Sequence, residues 1–152
     1  MNILIAGQKW FGAEVFRSLR LLPGVSIAAV CAPEDDKLEG EAGIHRVPVI
    51  RKLSASTMPP GIDLIVAAHS HDFIGEKTRL RAKWGGIGYH PSLLPRHRGI
   101  AAVEWTILEG DPIAGGSVYH LAERWDAGAI AAQDWCFVGK GETARELWER
   151  AL

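Results

Sequence analysis

Cysteine is scarce: Cys31 and Cys136 are the two in 152 residues. That count and separation exclude the disulfide framework of a small secreted domain, and their apolar and aromatic surroundings predict a pair of buried, reduced thiols. Neither sign of charge is in excess, with 17 Lys and Arg against 18 Asp and Glu and an isoelectric point near 6.6. Nucleic-acid binding rests on clustered Lys and Arg neutralising phosphates, so a small-molecule partner is expected and a nucleic-acid partner is not. Long hydrophobic runs are missing too. Nothing approaches the ~18 unbroken apolar residues of a membrane span, and no basic segment precedes the first apolar run. The expectation is a cytoplasmic protein with no membrane partner.

Several motifs are also absent. The glycines of Gly7-Gln8-Lys9-Trp10-Phe11-Gly12 do not have the spacing of the dinucleotide fingerprint, and no acidic residue cleanly ends the second apolar run. No nucleophile elbow surrounds Ser92, which argues against a serine hydrolase. His69, His71 and Asp72 are close in sequence, yet no other His, Cys or Asp set at zinc-like spacing completes a ligand sphere, so no metal is expected. That segment reads instead as a loop lining a pocket, with Phe73 and Ile74 as apolar walls.

What is present is core material. With 47% hydrophobic residues, the chain can fill one globular domain over residues 1–152. Met1 to Ala6 is a short apolar run ended by Gly7, which suits a buried parallel strand. Phe11, Val15, Leu19 and Leu22 then recur at helical spacing until Pro23-Gly24 stops them. Val25 to Ala32 is apolar again, so the first third reads as a βαβ unit and predicts an α/β fold with a Rossmann-like, mostly parallel sheet. The turn at Gln8 and Lys9 offers backbone N–H groups to an anion, and its place at the end of a central strand puts both residues within reach of an acceptor substrate. Trp10, like Trp125, is expected on a loop where its ring can wall a flat ligand.

Further on, Glu34 to Gly43 reads as a charged loop, Val47 to Ile50 and Ile62 to Ala68 as strands, and Glu76 to Lys83 as an exposed basic helix. Ile100 to Leu108 has a helical apolar face, while Ser117 to Leu121 and Ala129 to Trp135 read as strands. Thr143 followed by Glu146 is a capping box that opens a last helix carrying Leu147, Trp148 and Leu152.

The chain is organised around Gly85 to Gly99, an apolar, Gly-rich strand that delivers His90 into a loop stiffened by Pro91 and Pro95. A histidine at a strand end with a carboxylate partner can do acid–base work near neutral pH, and Asp126 is the candidate partner. On spacing alone the structural alternative has the advantage: His90 as an ordinary strand-end histidine, Asp126 as a turn former before Ala127-Gly128. Arg96, His97 and Arg98 suit either an anionic ligand or a solvated face. His120 lies within a strand, where a hydrogen-bonded structural histidine is the default.

His90-Pro91-Ser92-Leu93-Leu94-Pro95-Arg96-His97-Arg98-Gly99 resembles the signature of the folate-dependent formyltransferases, and Asp126-Ala127-Gly128 resembles that family's second motif at a matching distance. The likeness runs over essentially the whole chain. The family takes in glycinamide ribonucleotide, methionyl-tRNA and sugar-amine formyltransferases, and the hydrolase domain of formyltetrahydrofolate dehydrogenase. Gly7-Gln8, Phe11-Gly12 and Tyr89-His90-Pro91-Ser92 are most similar to that hydrolase domain, while Asp126 to Ile130 is closer to the sugar-amine enzymes.

The resemblance implies an α/β fold of formyltransferase type, with helices on both faces of the sheet, and N10-formyltetrahydrofolate as formyl donor without a metal. It implies that His90 stabilises a tetrahedral oxyanion or protonates the departing folate nitrogen, and that Asp126 orients it. It places Phe73, Ile74, Ile87, Tyr89, Trp125, Ala127, Gly128 and Ile130 around the folate, and Gln8, Lys9, Trp10, Ser92 and Arg98 toward the acceptor. The family asparagine falls on Gly88. Losing such an oxyanion donor costs about a hundred- to a thousand-fold in rate, yet the hydrolase domain, with isoleucine there, also lacks it. The expected reaction is transfer to a small-molecule amine such as an amino sugar. Hydrolysis to formate and folate binding without turnover are the alternatives. A tRNA acceptor is disfavoured, because the chain is expected to lack a basic C-terminal extension.

Overall fold

Strand β1 (Asn2–Gly7) is apolar from Ile3 to Ala6 and buried at each of those residues, as a strand with neighbours on both edges and cover on both faces must be. The computed structural model describes residues 1–151. The fold is the α/β class expected, a mostly parallel seven-stranded sheet with helices. The chain forms two compact units, Met1–Gly88 and the segment from Tyr89 onward.

In the first unit β1 is followed by α1 (Lys9–Arg20), β2 (Ser26–Cys31), α2 (Lys37–Ile44), β3 (Val49–Ile50), β4 (Leu64–Ala68), the single turn α3 (Glu76–Arg79) and the start of β5 (Gly86–His90). These strands are all parallel, in the order β3-β2-β1-β4-β5, with Ile5 opposite Val30 on one side and Val66 on the other. Phe16, on the buried face of α1, packs with Ile3, Ile5, Val30 and Leu38. It is fully buried, so Phe16→Ala is expected to cost about 3–5 kcal/mol, read as a lowered urea midpoint.

Gly7 ends β1 because a Cβ there would stand 2.1 Å from the Ala68 carbonyl oxygen at the end of β4. The next residue uses that carbonyl: Gln8 N–H donates to it at 3.3 Å. Lys9 then takes a left-handed conformation, and its N–H donates to both Asp36 carboxylate oxygens at 3.0 and 2.8 Å. The same carboxylate caps α2 by accepting from Leu38 N–H at 2.8 Å.

Here the structure corrects the sequence reading. The charged stretch taken as a loop contains α2, because Leu38 and Ala42, one helical turn apart, bury on one face while Gly40 and Gly43 dilute the periodic signal. The expected exposed helix from Glu76 is one turn with Thr78 and Arg79 buried, the latter donating to the Ile74 carbonyl at 2.9 Å. Cys31 is buried and free, and burial pushes its thiol up to about 11; Cys136 is also free but only half-buried, since β7 is exposed along most of its length.

The second unit contains the end of β5, α4 (Ala102–Leu108), β6 (Ile113–His120), β7 (Ile130–Phe137) and α5 (Ala144–Ala151). Both strands of the β6–β7 pair are longer than expected and run antiparallel, with Ser117 opposite Gln133. The capping box forms as expected: Thr143 N–H donates to Glu146 Oε2 at 2.8 Å, and Glu146 N–H to Thr143 Oγ1 at 3.3 Å. Leu147 of α5 is buried against Val103 and Ala114. Leu152 lies outside the described residues.

Candidate active site

The loop after β5 is stapled to the β6–β7 pair by one hydroxyl. Ser117 Oγ donates to the Ser92 carbonyl at 2.6 Å and accepts from Leu94 N–H at 3.0 Å and Gln133 Nε2 at 2.8 Å. One donor and two lone pairs are then fully used. Gln133 Nε2 also donates to the Leu94 carbonyl at 3.0 Å. Ser117→Ala would leave the buried Leu94 N–H and the Ser92 carbonyl without this partner, at an expected cost of about 1–3 kcal/mol in chemical denaturation. Ser92, expected to face an acceptor, is 2% exposed and turns its hydroxyl inward to the Arg96 carbonyl at 2.6 Å. It is part of the staple.

That loop and the one between β6 and β7 enclose the candidate pair. His90, 6% exposed, donates from Nε2 to the His97 carbonyl at 2.7 Å. A carbonyl can only accept, so the Nε2 proton is committed and Nδ1 is the nitrogen directed elsewhere. It faces Asp126 Oδ2 at 3.5 Å. Asp126, 7% exposed, has both oxygens held: Oδ1 accepts from Tyr119 O–H at 2.7 Å and Oδ2 from Gly99 N–H at 2.8 Å. Burial and the carboxylate raise the affinity of Tyr119 for its proton, so it stays a donor. An imidazole and a carboxylate so fixed, away from bulk water, can pass a proton between them.

Other expected site residues are placed as follows. Ala127 and Gly128 are half-buried in the Asp126 loop, while Trp125, 51% exposed, and Ile130 stand out toward solvent. Arg98 is exposed without an ion pair among the described residues, and His120 is exposed at the end of β6. Alternation along β5 puts Tyr89 on the face opposite His90, where it lines a cleft of about 340 Å³ with Gly116, Val118, Trp135 and Arg150. Burial pushes its phenol up to about 12.

The remaining candidates belong to the first unit. Ile74 and Gly88 are buried, Gln8 and Ile87 half-buried, and Phe73, Lys9 and Trp10 exposed. Gln8 Nε2 is buried without a hydrogen-bond partner among the described residues. The rings of His69 and His71 lie 5.3 Å apart, and His69 is held below the usual imidazole range by burial, then by Lys9 and His71. The group of three potential metal donors among the described residues lies elsewhere, at His97, Glu109 and Asp111. There Arg96 already pairs with Asp111 Oδ1 at 2.5 Å, and His97 Nε2 with Asp111 Oδ2 at 2.7 Å.

Sequence reasoning missed Tyr119, Ser117, Gln133 and the His97 carbonyl. Tyr119 and Ser117 share a face of β6 by alternation, but which loop that face would meet depends on register, which no local pattern carries.

Residues 49–152 match the formyl transferase family, and the chain belongs to it. The cytosolic 10-formyltetrahydrofolate dehydrogenase of Xenopus laevis is 32% identical over all of this chain, which spans 19% of that relative's length. The GDP-perosamine N-formyltransferase of Brucella melitensis is 36% identical over 99% of the chain and 62% of its own length. Among solved structures, the phosphoribosylglycinamide formyltransferase of Bacillus halodurans superposes with a TM-score of 0.82 at 20% identity, covering 99% of this chain and 87% of its own, a likeness of fold. No helix among the described residues is long and apolar enough to cross a membrane.

Proposed function

We propose that this chain moves the formyl group of N10-formyltetrahydrofolate to a small-molecule amine, in the cytoplasm and as part of one-carbon metabolism. The observation that carries the proposal is the buried pair in a chain of this family: His90 Nδ1 facing Asp126 Oδ2 at 3.5 Å, with each carboxylate oxygen anchored. In the reaction the acceptor nitrogen attacks the formyl carbon, a new C–N bond forms, and the bond to the folate nitrogen breaks. One proton must leave the acceptor and one must reach the folate nitrogen. His90 and Asp126 are the groups proposed to carry it, with no net oxidation. Among the folate contacts expected from the sequence, Trp125, Ala127, Gly128 and Ile130 share the loop and strand start that hold Asp126.

A second reading, hydrolysis to formate, draws on the dehydrogenase relatives and on Gly88, which offers no side-chain donor to an oxyanion. The test is incubation with 10-formyltetrahydrofolate while tetrahydrofolate and free formate are followed, with and without a panel of amino sugars and other small amines. Tetrahydrofolate formed only with one amine, and without formate, establishes transfer. Both products without an amine establish hydrolysis. Binding of the folate with neither product leaves a non-catalytic folate domain and overturns the proposal.

A further inference from the structure

The Asp126 carboxylate faces His90 through one oxygen and is held by its backbone neighbour through that same oxygen. Oδ2 accepts from Gly99 N–H at 2.8 Å and stands 3.5 Å from His90 Nδ1. Those contacts alone leave the carboxylate plane poorly determined, because the terminal torsion of an aspartate is broad and nearly two-fold. What removes that freedom is the contact on Oδ1, from Tyr119 O–H at 2.7 Å. Tyr119 is buried on β6, opposite Ile130 of β7 where the antiparallel register shifts after Val118, so its ring is held on a paired strand. Asp126 itself sits on a loop in the left-handed region, at φ 49°.

From this geometry we infer that Tyr119 is a positioning residue for the candidate proton-transfer pair, fixing which carboxylate oxygen, and which lone pairs of it, face His90 Nδ1. The inference rests on the function proposed above, in which His90 and Asp126 work together. The Tyr119 hydroxyl donates to Asp126 Oδ1, the carboxylate oxygen that does not face His90 Nδ1. Its effect therefore passes through Asp126. Removal of the hydroxyl leaves the ring to fill the same space and frees the carboxylate to rotate.

The test compares wild type with Tyr119→Phe. With 10-formyltetrahydrofolate, the variant should lose about ten-fold in kcat while KM stays within two-fold, since a looser carboxylate impairs the chemical step and not donor binding. A purely structural role would instead lower the melting temperature and leave kcat of the folded fraction unchanged. In parallel, the 15N resonances of His90 are read on protein labelled at histidine, with no substrate needed. A changed Nδ1 resonance with an unchanged Nε2 resonance is expected, because the His97 carbonyl still holds Nε2. An unchanged Nδ1 resonance overturns the inference, whether or not the protein turns over. If wild type is active, His90→Ala is inactive and Tyr119→Phe keeps full kcat, the positioning role falls and the proposed function stands. If His90→Ala is as active as wild type, the proposed function falls, and the Nδ1 resonance alone decides whether Tyr119 orients the carboxylate.

Discussion

Alanine at position 90 is expected to lower turnover of 10-formyltetrahydrofolate by about a hundred- to ten-thousand-fold, the range that a positioned acid–base group supplies. The reason is specific to this site. His90 is the imidazole that the Asp126 carboxylate faces, and its Nε2 is tied to the His97 carbonyl, so no other ring replaces it without rebuilding the loop. The substitution also removes that buried hydrogen bond, with a stability cost of about 1–3 kcal/mol. Turnover is therefore measured well below the melting transition, with circular dichroism confirming that the variant is folded. Asp126→Asn removes the charge and, because its NH2 cannot accept, also one of the two bonds from Tyr119 O–H and Gly99 N–H, so it should lower turnover with a further loss of stability. Should the alanine variant turn over as fast as wild type, the pair is structural and the chemistry lies elsewhere.

A methyl group at position 128 is expected to be the most damaging single-atom addition outside the first unit. A Cβ on Gly128 would stand 1.6 Å from the His120 carbonyl oxygen and 2.7 Å from its carbon. Both are backbone atoms at the end of β6, where His120 N–H also donates to the Ala129 carbonyl at 2.8 Å and closes the loop. Nothing flexible is available to yield. The strand end must open, and Asp126, two residues earlier, moves with it. Gly128→Ala should cost about 3 kcal/mol or more by urea denaturation and should abolish turnover at temperatures where the protein remains folded. The contrast is Gly40→Ala on α2, where nothing lies within 4 Å of the added carbon. There alanine should stabilise by about 0.4–1 kcal/mol, through the entropy of the unfolded chain and better helix propensity.

The parallel strands of the first unit were legible because burial on both faces leaves continuous apolar runs, as in Ile3-Leu4-Ile5-Ala6. α2 was not, since two glycines and several charges hide the two residues, Leu38 and Ala42, that bury it. His90 and Asp126 could be singled out from the motifs that carry them, yet their approach within 3.5 Å had to be seen. Tyr119, Ser117 and Gln133 act through cross-strand and loop contacts set by the β6–β7 register, which hydrophobic pattern fixes only after both strands are known.

Asp36 gives the first unit a counter-anion of its own. Its carboxylate takes the Lys9 N–H at the start of α1 and the Leu38 N–H at the start of α2 at the same time. The positive end of a helix dipole normally invites a phosphate from outside. Here the Asp36 carboxylate takes that place, through charge-assisted bonds from the two N–H groups. One acidic side chain thereby ties together the openings of the first two helices and answers the partial positive charge of both from within the chain.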